Sequence, residues 1–420
     1  MDQDLIAAID ARVDACFDDE VAFLREMVRV PSDTPPGDNA RHAERAAALI
    51  EAMGLPVERH PVPKAEVEAA GLASITNLVV RRRFGDGPVV ALNAHGDVVP
   101  PGEGWTKPPY EGVVEGGRMY GRGVAVSKSD FATYTFALRA LDSAARERGV
   151  APAGTVELHF TYDEEFGGEL GPGWLLRNGH TRPDLAICAG FSYAIVDAHN
   201  GCLQLEVTVH GQAAHAAMPE TGVDALKAAN AVLDAIYALA PVFAARRSKV
   251  EGIACPTINV GRIEGGTNTN VVPAKVVLKL DRRIIPEEDP AAAEAELRGV
   301  IERAVAAVPR ARVEIRRLML ARPLVPRPGH ERLAAAIARH GERVFGERIP
   351  VTATPLYTDA RLYGEAGVPV VLYGAGPRTI LEANAKRADE NLALEDLRRA
   401  TKVVAATLAE LLGASAPGRR

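Results

Sequence analysis

The sequence predicts an α/β fold. A main domain on a central sheet, residues 1–200 and 320–420, is split by an inserted ferredoxin-like α+β domain over 201–319. Three observations predict it. Short apolar runs at 73–83, 88–95, 155–165 and 184–191 alternate with helical periodicity, as over 131–149, and strands alternating with helices build a sheet with helices on its faces. From 202 to 320 the order becomes strand, helix, strand, strand, helix, strand, which is the ferredoxin-like arrangement. From 330 the earlier alternation returns, so the simplest path is one domain folded into the middle of another.

Each element has its own signal. Leu5, Ile6, Ile9, Val13, Phe17, Val21 and Leu24 recur at helical spacing and predict one helix over 3–30. Pro31 stops it, and the Ser32–Asp38 run is a turn cluster. A second helix over 39–53 closes at Gly54. In the insert, strands are expected at 202–211, 256–266, 271–284 and 311–320, with helices at 224–240 and 290–307. After 330 follow a helix, a strand at 350–357, a helix, a strand at 368–376 and a last helix ending at Leu412.

With 420 residues, 47% apolar and 25% charged, the chain has ordinary globular composition, which excludes a disordered, collagenous or disulfide-stapled protein. Forty-nine basic against 55 acidic residues leave a charge of −6, whereas nucleic-acid binders carry a basic face. No run approaches the ~18 uninterrupted apolar residues of a membrane span. The acidic N-terminal segment has no signal-peptide core. Cysteines at 16, 188, 202 and 255 show no CxxC spacing, so a reduced, cytoplasmic protein is expected.

Two motifs carry chemistry. In Asn93-Ala94-His95-Gly96-Asp97 an apolar strand delivers a histidine and an aspartate at its carboxyl end, the edge where open α/β sheets bind ligands. A carboxylate two residues away can orient an imidazole that holds a metal. Taken alone, the motif reads as readily as a histidine on a turn. In Asp163-Glu164-Glu165-Phe166-Gly167-Gly168 three carboxylates follow a strand. Such a cluster needs a cation or a held proton, so one acid could be a general base and its neighbour a metal ligand. The alternative is a solvated acidic turn.

These motifs do not stand alone. His95-Gly96-Asp97, Tyr120-Gly121-Arg122-Gly123, the Asp163–Gly168 run, His210-Gly211 with Ala214-His215 and Pro219, Asn270-Val271-Val272-Pro273 with Asp281-Arg282-Arg283, and Gly374-Ala375-Gly376-Pro377 occur in this order. Together they resemble the M20 family of co-catalytic metallopeptidases and deacylases, over nearly the whole chain, which implies that the split domain is a catalytic domain on a central mixed sheet. The resemblance implies His95 as a metal ligand, Asp97 as the acid that orients it, Glu164 as the general base and Glu165 as a ligand of the second metal. It implies His215 as the group that reaches across a homodimer to polarise the scissile carbonyl. Asn270, Arg283 and the Gly374–Gly376 loop would hold a substrate carboxylate.

Three family positions are altered. Val126 stands where a bridging aspartate is usual, Gly190 where an acid binds one metal, and Lys386 where the last histidine ligand lies. Each metal position keeps one ligand, His95 or Glu165, against the three protein ligands usual for catalytic zinc. No resident cofactor is therefore expected. If an ion is held, it is a single zinc or manganese ion, with Asp130 and His199 as candidate further ligands. Lys386 brings an ammonium to the acids instead and is expected among the substrate-binding residues. Ser127 and Lys128 could form a nucleophile pair, though the favoured reading makes Lys128 the family's own lysine and the serines helix caps.

The expected activity is hydrolysis of the C–N bond of a small carboxylate-bearing substrate. The alternatives are a metal-independent isomerase or racemase of amino-acid-like substrates, with Glu164 and Lys386 moving protons, and a non-catalytic small-acid binder. Retention of Glu164, Glu165, His215, Asn270 and Arg283 weighs against the binder, and loss of ligands against an ordinary two-metal peptidase. A homodimer through 201–319 is expected, with no nucleic-acid or membrane partner. The cysteines read as small buried groups, Trp105 as packing, and His42, His60, His180, His330 and His340 as surface residues.

Overall fold

The computed structural model describes residues 3–414. Its contacts separate two compact units. The first holds the residues up to Asp197, Pro326–Thr352 and those from Thr358; the second holds Ala198–Val325 and Ala353–Tyr357.

The main sheet has eight strands in the order Val57–Pro61, Thr76–Arg83, Thr155–Thr161, Val89–His95, Leu185–Cys188, Val370–Leu372, Ile195–His199, Val351–Thr354. Val89–His95 runs parallel to both Thr155–Thr161 and Leu185–Cys188, and Val370–Leu372 runs parallel to the latter. Val57–Pro61 and Thr76–Arg83 pair antiparallel on one flank, so the sheet is mixed as expected. The central strands are buried on both faces, which is why they read as continuous apolar runs without alternation. Helices Lys128–Arg148 and Leu394–Leu411 contact each other, and Gln3–Ala15 lies against both.

The expected helix over 3–30 is two helices, Gln3–Ala15 and Phe17–Arg29, parted at Cys16. Both halves pack on Lys128–Arg148. Two 13-residue helices in line would overshoot that 21-residue partner, so the break lets each apolar face stay on it. A three-stranded sheet, Asn391–Ala393, Arg118–Tyr120 and Val113–Glu115, escaped the sequence reading because three-residue strands show no measurable period.

In the second unit the strands Gly201–His210, Thr257–Gly265, Lys275–Ile284 and Arg312–Ala321 form an antiparallel sheet, with Lys275–Ile284 and Gly201–His210 central. Their inward residues alternate strictly, as in Leu203, Leu205, Val207 and Val209. Helices Ala225–Tyr237 and Pro290–Ala306 supply Val232, Ile236, Leu297 and Ile301 to the same core.

Ala225–Ala245 is long and apolar enough by composition to cross a membrane. It forms two helices, Ala225–Tyr237 and Leu239–Ala245, and the first buries Ala225, Ala228, Ala229, Val232 and Ile236 against the sheet. One expectation needs correction. His42 and His340 are buried, not on the surface. The His42 ring bonds Tyr162 Oη at 2.9 Å and the Met27 carbonyl at 3.1 Å, and His340 Nε2 lies 3.0 Å from Glu410. Their polar partners lie on distant segments, so the sequence gave no sign of this.

Glu20 is fully buried on Phe17–Arg29 and accepts a 2.5 Å bond from Thr401 Oγ1, while its Oε2 has no partner. Burial lifts this carboxyl to about 8, against the opposing pull of the Thr401 bond. A native value above the unfolded one makes the stabilisation complete at acid pH and erodes it as pH rises from the unfolded value towards 8. Each unit of displacement is worth about 1.4 kcal/mol. Urea midpoints at pH 5 and pH 8.5 should therefore fall with pH in the wild type and much less in Glu20→Gln. Equal slopes in the two proteins would show that Glu20 is already ionised in the native state.

Candidate active site

The register of the parallel strands sets His95 beside Thr161, so the segments that follow both strands leave the sheet at one edge. After His95 the chain turns at Gly96, where a Cβ would lie 2.4 Å from the Tyr162 ring, so only glycine fits. Asp97 follows, with no exposed surface, and its carboxylate accepts the amide of Glu164 at 3.3 Å and of Glu165 at 3.0 Å. These amides open the short 3₁₀ turn Glu164–Phe166, where N–H groups lack partners of their own. Asp163 braces the same turn by accepting the Leu170 amide at 2.6 Å.

His95 Nδ1 lies 3.0 Å from the Asp97 carbonyl and 3.4 Å from Asp97 Oδ1, and Nε2 is 3.8 Å from Glu164 Oε2. Burial alone would lower the imidazole; the charges of Glu164 and Asp97 overcome it and raise the group to about 10. Burial lifts Glu164 to about 7, with His95 and Lys386 pulling down and Glu165 pushing up. Lys386 Nζ stands 2.6 Å from Glu165 Oε2. Its loss of hydration is outweighed by Glu165 and Glu164, which raise the ammonium above its ordinary range. His95, Asp97, Glu164, Glu165 and Lys386 thus share one cluster.

The altered positions do not fit a two-metal centre. Val126 offers no lone pair. At Gly190 a Cβ would lie 2.7 Å from the Tyr373 amide and 2.8 Å from the Leu372 carbonyl carbon, so backbone fills the space an acid would need. Glu165 is covered by Lys386. Among the described residues, no group of three or more His, Cys, Asp or Glu stands in an arrangement that could hold a metal.

Asp130, a candidate ligand, is committed elsewhere. Its Oδ1 accepts the Ala375 amide at 2.7 Å. The Gly376 amide donates to the Gly190 carbonyl at 2.9 Å. Two amides of the loop expected to cradle a substrate carboxylate are therefore engaged within the protein. Gly374 and Gly376 are glycines for steric reasons: a Cβ would lie 2.1 Å from Asp130 Oδ1 at the first and 2.4 Å from the Gly190 carbonyl oxygen at the second.

Ser127 sits at the N-cap of Lys128–Arg148 but makes no cap bond, contrary to the capping expectation; its hydroxyl bonds the His95 backbone at 3.1 Å. Lys128 is fully buried and donates to the Val30 carbonyl at 3.1 Å. Burial lowers it to about 7, opposed by Asp33, Glu390 and Asp97. Both side chains thus have structural partners. Trp105 lies 5.2 Å from the guanidinium of Arg122, which pairs with Glu390 at 2.5 Å.

In the second unit a bridge between His215 and Val271 brings His215 next to Asn270, whose carbonyl accepts the Ala216 amide at 3.0 Å. His215 Nδ1 accepts the Ala217 amide at 3.0 Å, and the residue is exposed. Arg283 pairs with Asp281 at 2.8 Å and lies 5.5 Å from the Tyr357 ring. Its neighbour Arg282 points the other way along the strand, buried between Glu288 and Glu296 at 2.8 and 3.0 Å.

Two acids near the site escaped the sequence reading. Asp359 is buried, and burial followed by the charges of Glu164 and Asp163 drives it well above the carboxylate range. Its Oδ1 occupies the space a Cβ at Gly168 would need, 2.1 Å away. Glu390 accepts the Ala125 amide at 3.0 Å and the Val126 amide at 3.3 Å. Asp359 stands in no motif, and the signal for Glu390 was only its place at the end of the Lys386–Glu390 run.

The packing at Gly190 generates a stability test. Over-filling a close-packed site typically costs about 1–3 kcal/mol, so Gly190→Ala should lower the free energy of unfolding by that amount in a urea titration. A neutral Gly190→Ala would mean that the 372–373 backbone yields freely and an acid could be accommodated.

The sequence model of peptidase family M20/M25/M40 matches residues 91–410. A succinyl-diaminopimelate desuccinylase of Methylobacterium sp. (strain 4-46) is 30% identical, covering 94% of this chain and 97% of its own. The enzyme of that name from Rhodospirillum centenum is 26% identical, covering 95% and 99%. Among solved structures, human carnosine dipeptidase 1 superposes with a TM-score of 0.78 at 17% identity, over 97% of this chain and 99% of that one. The metallo-carboxypeptidase Sso-CP2 of Sulfolobus solfataricus gives 0.75 at 17% identity, over 94% and 99%. At such identities the superpositions speak for the fold. The family match over most of the chain, with the site in the expected order along it, makes this protein a member of peptidase family M20/M25/M40, hydrolases that act on C–N bonds.

Proposed function

We propose that this chain is an amidohydrolase or deacylase of a small carboxylate-bearing amide, with Glu164 as general base and an altered or absent metal centre. The observation that carries the reading is the position of Glu164. It stands on a turn anchored by Asp97, 3.8 Å from the His95 imidazole, at the carboxyl edge of the parallel strands. A carboxylate held there can take a proton from water as the water oxygen adds to the carbonyl carbon. The same proton then passes to the amide nitrogen as the C–N bond breaks, leaving a carboxylic acid and an amine. The desuccinylase relatives suggest N-acyl groups that end in a carboxylate. N-succinyl amino acids are therefore the first substrates to try, with dipeptides and N-acetyl amino acids beside them.

The second unit supports a homodimer. Leu226, Tyr237 and Val242 on its helices are 49%, 59% and 45% exposed, and Ile263 on the edge strand Thr257–Gly265 is 51% exposed. Apolar groups left exposed on these helices and on an edge strand are surface that a second copy could cover. In this reading His215 completes the site of the partner subunit and supplies a hydrogen bond to the carbonyl oxygen, while Asn270 and Arg283 hold the substrate carboxylate. A cytoplasmic location belongs to the same reading, since all four cysteines are free thiols.

Glu164→Gln should keep its fold and lose about 10²–10⁴-fold in kcat, the usual contribution of a general base; near-normal turnover would make Glu164 structural. His215→Ala should lower kcat by about 10²–10³-fold. Arg283→Ala should mainly raise KM, because the carboxylate it holds keeps its charge throughout the reaction. Mixing inactive His215→Ala subunits with inactive Glu164→Gln subunits should restore part of the activity, since a mixed dimer has one intact site. No recovery after demonstrated subunit exchange would rule out the shared site.

A further inference from the structure

The carboxyl edge of the parallel strands carries an acidic excess that must be balanced. Asp97, Glu164 and Glu165 meet on one turn, and the buried Asp359 lies against Gly168, which follows that turn. Like charges gathered away from water require a cation or bound protons. Donors for a divalent ion are missing at Val126 and cannot be accommodated at Gly190, where backbone atoms of Leu372 and Tyr373 fill the side-chain space.

Beside the His95 imidazole, Lys386 brings a permanent positive charge. Lys386 lays its ammonium 2.6 Å from Glu165 Oε2; the Glu165 side chain is 7% exposed and that of Lys386 49%. The loop that carries it is unusual. Of the four non-glycine residues with positive φ among the described residues, Asn384, Lys386 and Asp389 all lie here, at 49°, 61° and 54°. Such conformations persist only where the surroundings over-determine them, and they gather at functional sites. The surroundings here do so. The Asp389 carboxylate accepts the Thr106 and Lys107 amides at 2.9 and 3.2 Å and the Thr106 hydroxyl at 2.8 Å. The Arg387 amide closes onto the Asn384 carbonyl at 2.8 Å, and the Ala385 amide onto that of Ile380 at 3.1 Å. A lysine meant only for solvent needs no such frame.

We propose that Lys386 is the resident cation of this site: its ammonium takes Glu165 out of use as a metal ligand, and that fixed charge, in place of a divalent ion, balances the negative charge developing on the amide oxygen. The proposal rests on the hydrolase reading above. As water adds to the carbonyl carbon, the C=O electron pair moves to oxygen beside the ammonium. It returns as the C–N bond breaks and the proton held by Glu164 goes to nitrogen, with nothing oxidised or reduced.

The test compares wild type with Lys386→Met, Lys386→Arg and Lys386→His. Each is dialysed against zinc alone and manganese alone, and retained ion per chain is measured by elemental analysis. Circular dichroism follows folding, and turnover of one N-acyl substrate is read with and without EDTA. Wild type should retain less than one ion per chain and ignore EDTA. Lys386→Met should lose about 10²–10³-fold in kcat with KM little changed, Lys386→Arg should keep part of the rate, and Lys386→His should gain zinc because it adds a donor and frees Glu165. One or more tightly held ions per wild-type chain would overturn the proposal, as would a folded Lys386→Met with wild-type kcat. Should Lys386→Met not fold, wild-type ion uptake and the Arg and His variants decide the matter. Failure to hydrolyse any N-acyl substrate would instead defeat the hydrolase reading, which the ion measurements do not depend on.

Discussion

The candidate site depends on one arrangement, the carboxylate of Asp97 receiving the amides of Glu164 and Glu165. It ties the end of one parallel strand to the turn after its neighbour, and it satisfies backbone donors that a three-residue helical turn leaves unpaired. Charge-assisted bonds to amides are stronger than neutral ones, so the turn is held firmly enough to present two acids side by side. The backbone carbonyl of Asp97 also receives the His95 ring. A single buried aspartate thus orients the histidine and both glutamates.

The substitutions that distinguish this chain from the family pattern are mutually consistent in structure. A glycine at 190 lets the 372–376 backbone close in, and Asp130 then bonds the Ala375 amide in that space. Room that an acidic ligand would need is taken up by backbone hydrogen bonding, which a close-packed interior favours over a cavity. On the open side, Lys386 supplies charge to the acids that remain. Buried cations elsewhere also have a partner: Arg122 has Glu390, Arg282 has Glu288 and Glu296, and Lys128 has the Val30 carbonyl.

Several residues kept from the family pattern have partners in this fold that motif matching could not foresee. Arg283 is already paired with Asp281 and faces Tyr357, so a substrate carboxylate would share or displace that partner. Gly374 and Gly376 are required by contacts of 2.1 and 2.4 Å, which explains their presence without any role for their amides in binding. A motif records which residue types occur together; it does not record which hydrogen-bonding groups remain free after folding.

Local periodicity in the sequence was enough to determine the mixed α/β class, the strand–helix order, and the change of pattern near residue 200, because burial on one face or two is written residue by residue. The resemblance of the ordered motifs to the M20 family, and not periodicity, brought His95, Asp97, Glu164 and Glu165 into one hypothesis. Packing between distant segments decided the rest. The break at Cys16 depends on the length of the helix beneath it, and the burial of His42 depends on Tyr162, 120 residues away. Asp359 reaches the site from a segment with no catalytic motif of its own. Lys386 was legible as a substitution, but its 2.6 Å contact with Glu165 is set by a left-handed loop pinned to Thr106 and Lys107. Contacts between residues hundreds of positions apart leave no periodic trace in the chain, so only the folded structure could supply them.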